Sequence, residues 1–345
     1  MKKVLIITDN KPGHESISDG IIEYLKKYDE FEIIKLSVIL RFGFFKFILK
    51  ILLGKQFFLD RLTISIIRIF YKFSNDDINY TDMDLIISSG GNTSFANAMF
   101  SKIYHTPNVL CTYLRGLDNN LFDYVLAVSG NDKYHNSLTF DLLPVKVAKD
   151  DVKISEFRKK LSLKDNHVWS ILIGGPNKEY PFTDEEILLF TKKILDKAKD
   201  ESADVLFTTS RRTGLKLENK LSRLISQYDN VIYSVLYNTK PEKIISVYLY
   251  NSDVVFVTED SGSMVTESIY AQKPTITLTS KNRTKHKEYK YDRYIANLEN
   301  KNYIKRCRVD DIEKLILDKI NFQFYNPTKN EENFHKIYNL MKERT

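Results

Sequence analysis

Residues 254–278 read VVFVTEDSGSMVTESIYAQKPTITL, and this stretch carries the pattern that decides the fold. A β-branched apolar run at 254–257 leads into a polar loop that contains a glycine. A stretch of helical periodicity follows at 264–271, and a second apolar run follows at 275–279. Short continuous apolar runs fit strands that are buried on both faces, and a helix between two of them is the crossover of a parallel sheet. The stretch therefore predicts a strand–helix–strand unit with a polar loop at the carboxyl end of its first strand.

The same alternation runs through most of the chain. Further apolar runs occur at 4–8, 85–88, 109–113, 124–128, 169–173, 205–208 and 231–235. Helical periodicity occurs at 17–28, 184–199, 215–227 and 243–250. Strands that alternate with helices predict the α/β class, with parallel sheets wound by right-handed crossovers.

The chain of 345 residues exceeds the usual length of one domain, about 100–200 residues. The alternation restarts after a charged stretch at 145–166. We therefore predict an N-terminal domain at 1–148, a second domain at 149–305, and C-terminal helices at 306–345. Helical segments are expected at 312–320 and 332–342. In such proteins the ligand binds at the carboxyl ends of the strands, so two domains of this kind would present their loops to a cleft.

The composition narrows the class of protein. Hydrophobic residues make up 43% of the chain, and 52 basic residues against 45 acidic ones give a net charge of +7. The positive charge favours phosphate groups or an anionic membrane as partners. The two cysteines, Cys111 and Cys307, have no ligand-like spacing and predict neither a disulfide framework nor a thiolate metal site. We expect a cytoplasmic protein that has no nucleic-acid partner.

The segment 39–73 is both basic and strongly apolar. Its one acid is Asp60, and no window approaches the roughly 18 uncharged apolar residues of a membrane span. The basic residues are Arg41, Lys46, Lys50, Lys55, Arg61, Arg68 and Lys72, and the apolar ones include Leu40, Phe44, Phe45, Phe47, Ile48, Ile51, Leu52, Phe57 and Phe58. This mixture predicts one or two amphipathic helices that lie on an anionic membrane. The alternative is that the aromatic side chains pack into the core of the first domain or against a partner subunit.

The loop after the first strand, TDNKPGHES at 8–16, is polar and opens a helix. Its candidate residues are Asp9, Lys11, Gly13 and His14. His14 is a candidate general base, because an imidazole titrates near 6.5 and can take a proton from a hydroxyl group at neutral pH. Asp9 is the rival base. The structural alternative is that Gly13 makes the turn and His14 only hydrogen-bonds within it.

Two more loops of the first half are candidates for the acceptor side. The loop SSGGNTS at 88–94 contains Gly91 and Asn92, whose small neighbours would let a ligand approach the backbone. The alternative is a tight turn in which Thr93 or Ser94 caps a helix. Arg115 follows the next strand and is a candidate contact for an acceptor or its phosphate.

Three polar loops of the second half follow three strands and should meet at one edge of a sheet. The candidate residues for binding a donor nucleotide are Gly174, Gly175, Thr209, Ser210, Arg211, Arg212, Glu259, Asp260, Ser261, Gly262, Ser263, Met264 and Glu267. The helix that opens at Ser261 suits a diphosphate, because its first amides and its dipole favour negative charge. Glu267 would accept hydrogen bonds from ribose hydroxyls. Each residue also has a structural alternative, as a helix cap, a first-turn acid or a solvated arginine.

Five motifs carry a resemblance to a known family. They are DNKPGHE at 9–15, IGGPNKEY at 173–180, TTSRRT at 208–213, VTEDSGSMVTE at 257–267 and AQKP at 271–274. They resemble the bacterial and plant family named after a plant mitochondrial fission protein, in the same order and over roughly residues 1–300. That family is similar to glycosyltransferases of the GT-B fold, including the enzyme that adds N-acetylglucosamine to the undecaprenyl-linked peptidoglycan precursor. The resemblance implies two Rossmann-like domains that face a cleft.

The resemblance also implies roles for two residues. In that transferase a glycine-rich loop with a histidine follows the first strand, as His14 does here, and an acid on a late helix holds the ribose, as Glu267 would. One departure is that the loop before His14 has a single glycine where the transferase has several. The plant namesake is described chiefly as an adaptor for a division GTPase, which keeps a non-catalytic role open.

The expected function is a metal-independent, inverting glycosyltransferase of cell-envelope glycan biosynthesis. It would move a sugar from a nucleotide-sugar to a membrane-associated, lipid-linked or glycan acceptor, with no cofactor and no metal. It would lie in the cytoplasm, peripherally on the inner face of the cytoplasmic membrane through 39–73. The alternatives are a UDP-sugar 2-epimerase of the same fold and a non-catalytic adaptor protein.

Overall fold

The structure is a computed structural model that describes residues 1–74, 80–111, 114–128, 134–147, 149–163, 167–177, 180–281 and 290–342. The chain divides into two compact units. The first unit contains Met1–Lys146 together with Asn326–Thr345, and the second contains Val147–Tyr325. The C-terminal segment 306–345 is therefore shared between the two units.

The first unit is built on one sheet. In chain order its elements are β1 (Lys2–Thr8), α1 (Pro12–Leu25), β2 (Phe31–Leu40), α2 (Phe45–Leu52), α3 (Gln56–Leu59), α4 (Ile64–Phe70), β3 (Tyr71–Phe73), β4 (Leu85–Ser88), α5 (Thr93–Tyr104), β5 (Asn108–Leu110), a 3₁₀ turn at Asn119–Leu121, β6 (Tyr124–Val128) and β7 (Ser137–Phe140). The strand order among the described residues is β3-β2-β1-β4-β5-β6-β7. The pairs are parallel except for β2 with β3, which is antiparallel.

Alternation along β1 places its side chains in two layers of core. Val4 and Ile6 pack in the cluster formed with α1, whereas Leu5 and Ile7 pack in the cluster formed with α2, α4 and α5. Because successive side chains of a strand point to opposite faces, an all-apolar strand needs helices on both sides. The chain supplies them from elements that are far apart in sequence.

The second unit repeats the architecture. Its elements are α6 (Asp151–Lys160), β8 (Val168–Ile173), α7 (Asp184–Asp200), β9 (Asp204–Thr209), α8 (Leu215–Ile225), β10 (Val231–Val235), α9 (Ile245–Asn251), β11 (Val254–Thr258), α10 (Gly262–Tyr270), β12 (Thr275–Leu278), α11 (Lys290–Asn300) and β13 (Lys305–Cys307), followed by 3₁₀ turns at Val309–Lys314 and Leu317–Lys319. The strand order is β10-β9-β8-β11-β12-β13, and its pairs are parallel. Trp169, Phe207 and Phe256 are buried in its core.

The last helix, α12 (Glu331–Leu340), returns to the first unit. The ring of Phe334 stacks on Tyr24 of α1 at 4.3 Å between centroids, and the Nζ of Lys2 donates a hydrogen bond of 2.8 Å to the carbonyl of Met341. The end of the chain thus covers the α1 face of the first sheet.

Each sheet has one point at which its strand order reverses. In the first sheet β1 leads outward to β2 while β4 leads to β5 on the other side, and in the second sheet β8 and β11 have the same relation. Loops after two such strands leave in opposite directions and open a crevice at the carboxyl edge, where α/β proteins bind ligands. The two switch points are therefore β1/β4 and β8/β11.

The structure corrects the interpretation of several segments. Segment 39–73 is not one or two helices only, because β2 extends to Leu40, β3 ends the segment, and α2, α3 and α4 lie between them. The sequence patterns also missed β7 and β13, and segment 312–320 forms 3₁₀ turns in place of a helix. These short or charged strands are stabilised by pairing with buried neighbours, which local pattern does not reveal. Part of the strand predicted at 109–113 lies outside the described residues, and β5 ends at Leu110.

Within the described ranges, no helix has both the length and the apolar character needed to cross a membrane.

Candidate functional site

The loop after β1 forms a polar cluster around Asp9. The Oδ1 of Asp9 lies 2.8 Å from the Nδ1 of His14, and its Oδ2 accepts a hydrogen bond of 2.6 Å from the Nζ of Lys11. Pro12 and Gly13 open α1 directly after Lys11, so the first turn of the helix carries His14 back toward Asp9. The Asp9 side chain is 9% exposed and His14 is 33% exposed. The cluster therefore has a buried anion and an accessible imidazole.

The charge of Asp9 determines which nitrogen of His14 can accept a proton. Burial disfavours the charged carboxylate, but the hydrogen bonds and positive charges of His14 and Lys11 outweigh it and lower the pKa of Asp9 to about 2. Asp9 is therefore ionised at neutral pH and is a poor proton acceptor. A charged carboxylate at Nδ1 favours the tautomer with its proton on Nδ1, which leaves Nε2 of His14 to act as the base.

The loop after β4 lies against this cluster. Gly90 has a φ of 103°, and a methyl group on it would overlap the ring of His14. A methyl group on Gly91 would overlap the guanidinium of Arg115. Asn92 occupies the N-cap position of α5 without a side-chain cap hydrogen bond. The β1/β4 switch point thus brings together His14, Asp9, Lys11, Gly91 and Arg115.

Helix α2 contributes a residue that the sequence did not connect to this site. Arg115 and Gly116 have successive left-handed φ values of 52° and 85°. A methyl group on Gly116 would overlap the Nζ of Lys50. From its position alone Lys50 was expected to face a membrane, and no sequence signal links α2 to the loop after β5, because the two are distant along the chain.

In the second unit, the loops after β8 and β11 are tied to each other. The amide of Gly174 donates to Thr258 Oγ1 at 2.7 Å, and the amide of Gly175 donates to Asp260 Oδ2 at 2.8 Å. Arg212 Nη2 also donates to Asp260 Oδ2, at 2.6 Å. A methyl group on Gly174 would overlap the Asp260 carboxylate, so this close packing requires a glycine.

Asp260 is an unusual carboxyl group. Burial raises its pKa, the charge of Arg212 and the amide of Gly175 oppose the rise, and the result is a pKa of about 6. Its Oδ1 is buried and has no hydrogen-bond partner among the described residues. The carboxyl is inaccessible, so it can orient Arg212 but cannot reach a ligand.

Glu259 and Thr209 also face the protein. Glu259 is buried and pairs with Arg306, whose Nε and Nη2 donate at 2.7 Å and 2.9 Å, while Thr279 donates to it at 2.6 Å. Thr209 donates to the buried Glu218. Ser210 donates to the carbonyl of Gly174 at 2.9 Å. These side chains hold strand ends together. Sequence reasoning missed Arg306 because its contact with Glu259 joins residues far apart in the chain, and it missed Glu218 because that residue lies inside a helix and not in a loop.

The accessible groups of the second switch point lie around α10. Its N-cap, Ser261, makes no side-chain cap hydrogen bond, and the amides of the first turn of a helix lack intrahelical acceptors. Those amides belong to Gly262, Ser263 and Met264. Ser263 and Glu267 are four residues apart and therefore share one face of α10, where both are half-buried.

Two arginines add charge near this helix. Arg211 is exposed and forms no ion pair with a described residue, while the Arg212 side chain is 37% exposed beside Asp260. Amides and arginines together suit an anion. In the described part of the chain, no three His, Cys, Asp or Glu side chains are grouped as metal ligands would be.

The sequence matches the model of a family described as mitochondrial fission ELM1 over residues 12–328. The chain belongs to this family. A search of curated proteins gave no significant match. The family predicted from the sequence motifs is thus confirmed.

Solved structures extend the comparison of this mitochondrial fission ELM1 family member to its fold. The chain is similar to UDP-GlcNAc 2-epimerase from Methanocaldococcus jannaschii, with a TM-score of 0.59, 14% identity, and coverage of 98% of this chain and 99% of that one. It is also similar to the Neisseria meningitidis UDP-GlcNAc 2-epimerase bound to UDP-GlcNAc, with a TM-score of 0.53, 15% identity, and coverage of 99% of this chain and 94% of that one. A glycosyltransferase from Rickettsia africae has a TM-score of 0.51 and 12% identity, with coverage of 100% of this chain and 99% of that one. Identities this low show the fold alone, and they confirm the α/β class of GT-B type with two mainly parallel sheets.

Proposed function

We propose that this ELM1-family protein is an inverting glycosyltransferase that moves a sugar from a nucleotide-sugar to an acceptor hydroxyl group. The observation that carries the proposal is the His14–Asp9 pair at the β1/β4 switch point, with the imidazole accessible and the carboxylate buried. A catalytic base needs this arrangement, in which a second group orients the imidazole and stabilises its charged form.

The reaction follows from these groups. His14 Nε2 takes the proton of the acceptor hydroxyl while the acceptor oxygen bonds to the anomeric carbon of the sugar. The bond from that carbon to the diphosphate breaks, and the nucleoside diphosphate leaves with the bonding electrons. The charge of Asp9 stabilises the imidazolium. Because one displacement occurs with no covalent enzyme intermediate, the configuration inverts.

The donor site is assigned to the second unit. The first-turn amides of α10 and the side chains of Arg211 and Arg212 would stabilise the charge on the leaving diphosphate. Glu267, on the face of α10 that also carries Ser263, would accept hydrogen bonds from the ribose. These groups supply positive charge by themselves, so the proposal requires neither a metal ion nor a cofactor.

The acceptor is proposed to be membrane-associated. The β2–α2 loop and α2 expose an apolar face made of Phe42, Phe44, Phe47, Ile48 and Ile51, with Phe47 74% and Ile51 65% exposed. We call these five residues the aromatic face. The opposite side of the helix is buried in the core through Leu49, so the alternative of core packing holds for only part of the segment.

Positive charge surrounds the aromatic face. Lys46 and Lys55 are exposed and form no ion pair with a described residue. Apolar rings with lysines around them match an anionic lipid surface, where each basic residue contributes about 1 kcal/mol. Peripheral binding there would bring a lipid-linked acceptor to His14.

The epimerase alternative is less well supported. Proton abstraction from a sugar would need accessible carboxylates, but Asp260 and Glu259 are both buried in ion pairs with arginines, and the remaining acid, Glu267, is assigned here to the ribose. The adaptor alternative would require no nucleotide site at all.

One experiment separates the three functions. Thermal shifts are measured with UDP-, GDP-, CMP- and dTDP-linked sugars, because a ligand at about 100 times its Kd stabilises by about 2.7 kcal/mol. Release of free nucleotide is then measured with and without candidate acceptors. Transfer predicts release that depends on an acceptor. Sugar conversion without an acceptor would indicate an epimerase, and the absence of any shift would favour an adaptor.

A further inference from the structure

Lys50 of α2 and Arg115 of the loop after β5 are two exposed cations of the first unit. Both are exposed, and neither forms an ion pair with any described residue. Other lysines of the same unit are paired: Lys35 lies 2.7 Å from Asp19, and Lys146 lies 3.0 Å from Glu23. Lys46 and Lys55 are also without an ion pair to a described residue, so what distinguishes Lys50 and Arg115 is their contact with the glycines of the loops after β4 and β5.

Each of the two cations lies directly against a glycine. The Arg115 guanidinium lies over Gly91 and the Nζ of Lys50 lies over Gly116, so closely that a methyl group on either glycine would overlap the charged group. Since Arg115 and Gly116 are consecutive, the Nζ of Lys50 lies against the turn from which the Arg115 side chain extends to Gly91. No carboxylate of a described residue forms an ion pair with either cation, so both charges are available to an anion.

The same turn is continuous with the proposed base. The Arg115 guanidinium lies over Gly91, and the preceding residue, Gly90, lies against the ring of His14. Helix α5 begins directly after Asn92 and has no side-chain cap, so its first amides add to the positive potential. An anion bound by Arg115 and Lys50 would thus lie beside the imidazole and not at the donor site of the second unit.

We propose that Lys50 and Arg115 bind a phosphate or diphosphate group carried by the acceptor. The arginine offers a planar fork that matches two phosphate oxygens, and the lysine offers a compact second charge. The word acceptor rests on the proposed transferase function, whereas anion binding by the pair does not. Because Lys50 belongs to the helix that carries Phe47 and Ile51, the phosphate is the one that joins the acceptor to its lipid.

The test uses inorganic pyrophosphate as the probe and the full chain as the protein. Affinity is measured by calorimetry, and the site is located by hydrogen exchange. In the wild-type protein, pyrophosphate should slow exchange in the loop after β4 and around Gly116. Arg115→Gln and Lys50→Gln should each weaken this binding about tenfold or more, as expected for loss of a charged hydrogen bond.

Two further variants make the test specific. Gly91→Ala keeps every charge but displaces the Arg115 guanidinium, so it should weaken binding as much as Arg115→Gln does. Lys46→Gln removes an equal charge one turn earlier on α2, away from both glycines, and should change affinity only about twofold at most.

The outcomes are separable from the proposed function. If pyrophosphate protects only the start of α10, or if Lys46→Gln and Lys50→Gln weaken binding equally, the acceptor-phosphate site is wrong. In that case nucleotide-sugar binding and transfer to an uncharged acceptor would be unaffected. Conversely, pyrophosphate binding at Gly116 without any nucleotide-induced thermal shift would support the anion site and contradict the proposed transferase function.

For the lipid itself, vesicles that contain a polyprenyl phosphate are compared with vesicles of equal charge that contain phosphatidylserine. A preference for the polyprenyl phosphate that disappears in Gly91→Ala is the expected result. If the wild-type protein shows no preference for the polyprenyl phosphate, free phosphate and not a lipid phosphate is the ligand of the site. A preference that Gly91→Ala retains in full would overturn the site.

Discussion

The two switch points have the same topology but differ in the exposure of their charged side chains. At β1/β4 the carboxylate of Asp9 is buried but its partners, His14 and Lys11, are accessible. At β8/β11 the carboxylates of Asp260 and Glu259 are inaccessible and each is paired with an arginine.

This difference assigns different roles to the two edges. The first edge presents side chains that can exchange a proton or bind a charge. The second edge uses its carboxylates to hold the strand ends, and it presents the backbone amides of α10 together with Arg211 and the partly exposed Arg212. Fixed amides stabilise a leaving group at little cost in reorganisation, whereas a base must be able to change its charge. The comparison therefore predicts catalytic defects from changes at β1/β4 and stability defects from changes at β8/β11.

The largest expected effect is on turnover. His14→Ala should lower kcat roughly 10²–10⁴-fold and leave donor affinity nearly unchanged, because the variant removes the base but none of the donor contacts. Asp9→Asn should fall between the wild-type protein and His14→Ala, since it keeps the size of the side chain but loses the charge that orients the imidazole. Rates of transfer and donor titrations check both variants. Near-normal turnover of His14→Ala would show that His14 is not the base and would contradict the role assigned to the β1/β4 edge.

A comparable effect, on stability, is expected at the other edge. Arg306→Met leaves the carboxylate of Glu259 buried without its partner and should lower the free energy of unfolding by about 3–5 kcal/mol. Arg212→Met should cost less, because Asp260 can take up a proton when its partner is lost. Urea denaturation of both variants at neutral pH measures the difference. Equal losses would show that the two buried carboxylates are not held in different ways.

The sequence predicted the loops but not the partners of their side chains. Apolar runs mark where strands end, and parallel strands end at one edge, so Asp9, His14 and the start of α10 could be placed from pattern alone. That both adjacent acids are buried could not be predicted, because Glu259 is paired with Arg306 on β13, a strand without a pattern of its own.

Contacts between elements that are distant in the sequence could not be predicted either. Gly91 and Gly116 are spacers for Arg115 and Lys50, and this is visible only when α2, β4 and β5 are packed together. A glycine in a loop predicts a tight backbone, but it does not say which side chain will lie over it.

The third prediction concerns the pH dependence of stability, to which Asp260 and Asp9 should contribute with opposite signs. The pKa of Asp260 is raised from 3.8 to about 6, so its contribution to stability is fully present below about pH 4 and is lost as the pH rises through 6. The loss is on the order of 2–3 kcal/mol. Asp260→Asn should remove this slope in urea denaturation between pH 4 and 6.

Asp9 provides the matched control for that slope. Its pKa is lowered from 3.8 to about 2, so its contribution is present above about pH 4 and is lost only as the pH falls toward 2. Asp9→Asn should therefore leave the slope between pH 4 and 6 unchanged. A slope that persists in Asp260→Asn, or that disappears in Asp9→Asn, would contradict the assignment.

The fourth prediction tests whether the second edge binds a nucleotide at all. Glu267→Ala should weaken donor binding about tenfold to a hundredfold, the range expected for loss of charged hydrogen bonds to a ribose. The melting temperature without ligand is measured beside it, so that a loss of binding is distinguished from a loss of folding. Glu267→Gln should retain part of the affinity. Calorimetry that shows unchanged affinity in Glu267→Ala would remove the donor site from this edge.

The smallest expected effect is at the membrane, and it tests whether the first edge faces lipid. Lys46 lies on α2 beside the aromatic face, so Lys46→Gln should weaken binding to anionic vesicles by about 1 kcal/mol, close to fivefold. The matched control is Lys216→Gln, which removes an exposed lysine of α8 in the second unit and should change nothing. Phe47→Ser shows whether the rings also contribute, because its effect should persist at high salt whereas that of Lys46→Gln should disappear. Equal effects of Lys46→Gln and Lys216→Gln would mean that the attraction comes from net charge alone. The aromatic face would then have no role in docking, and a soluble acceptor would become the better hypothesis.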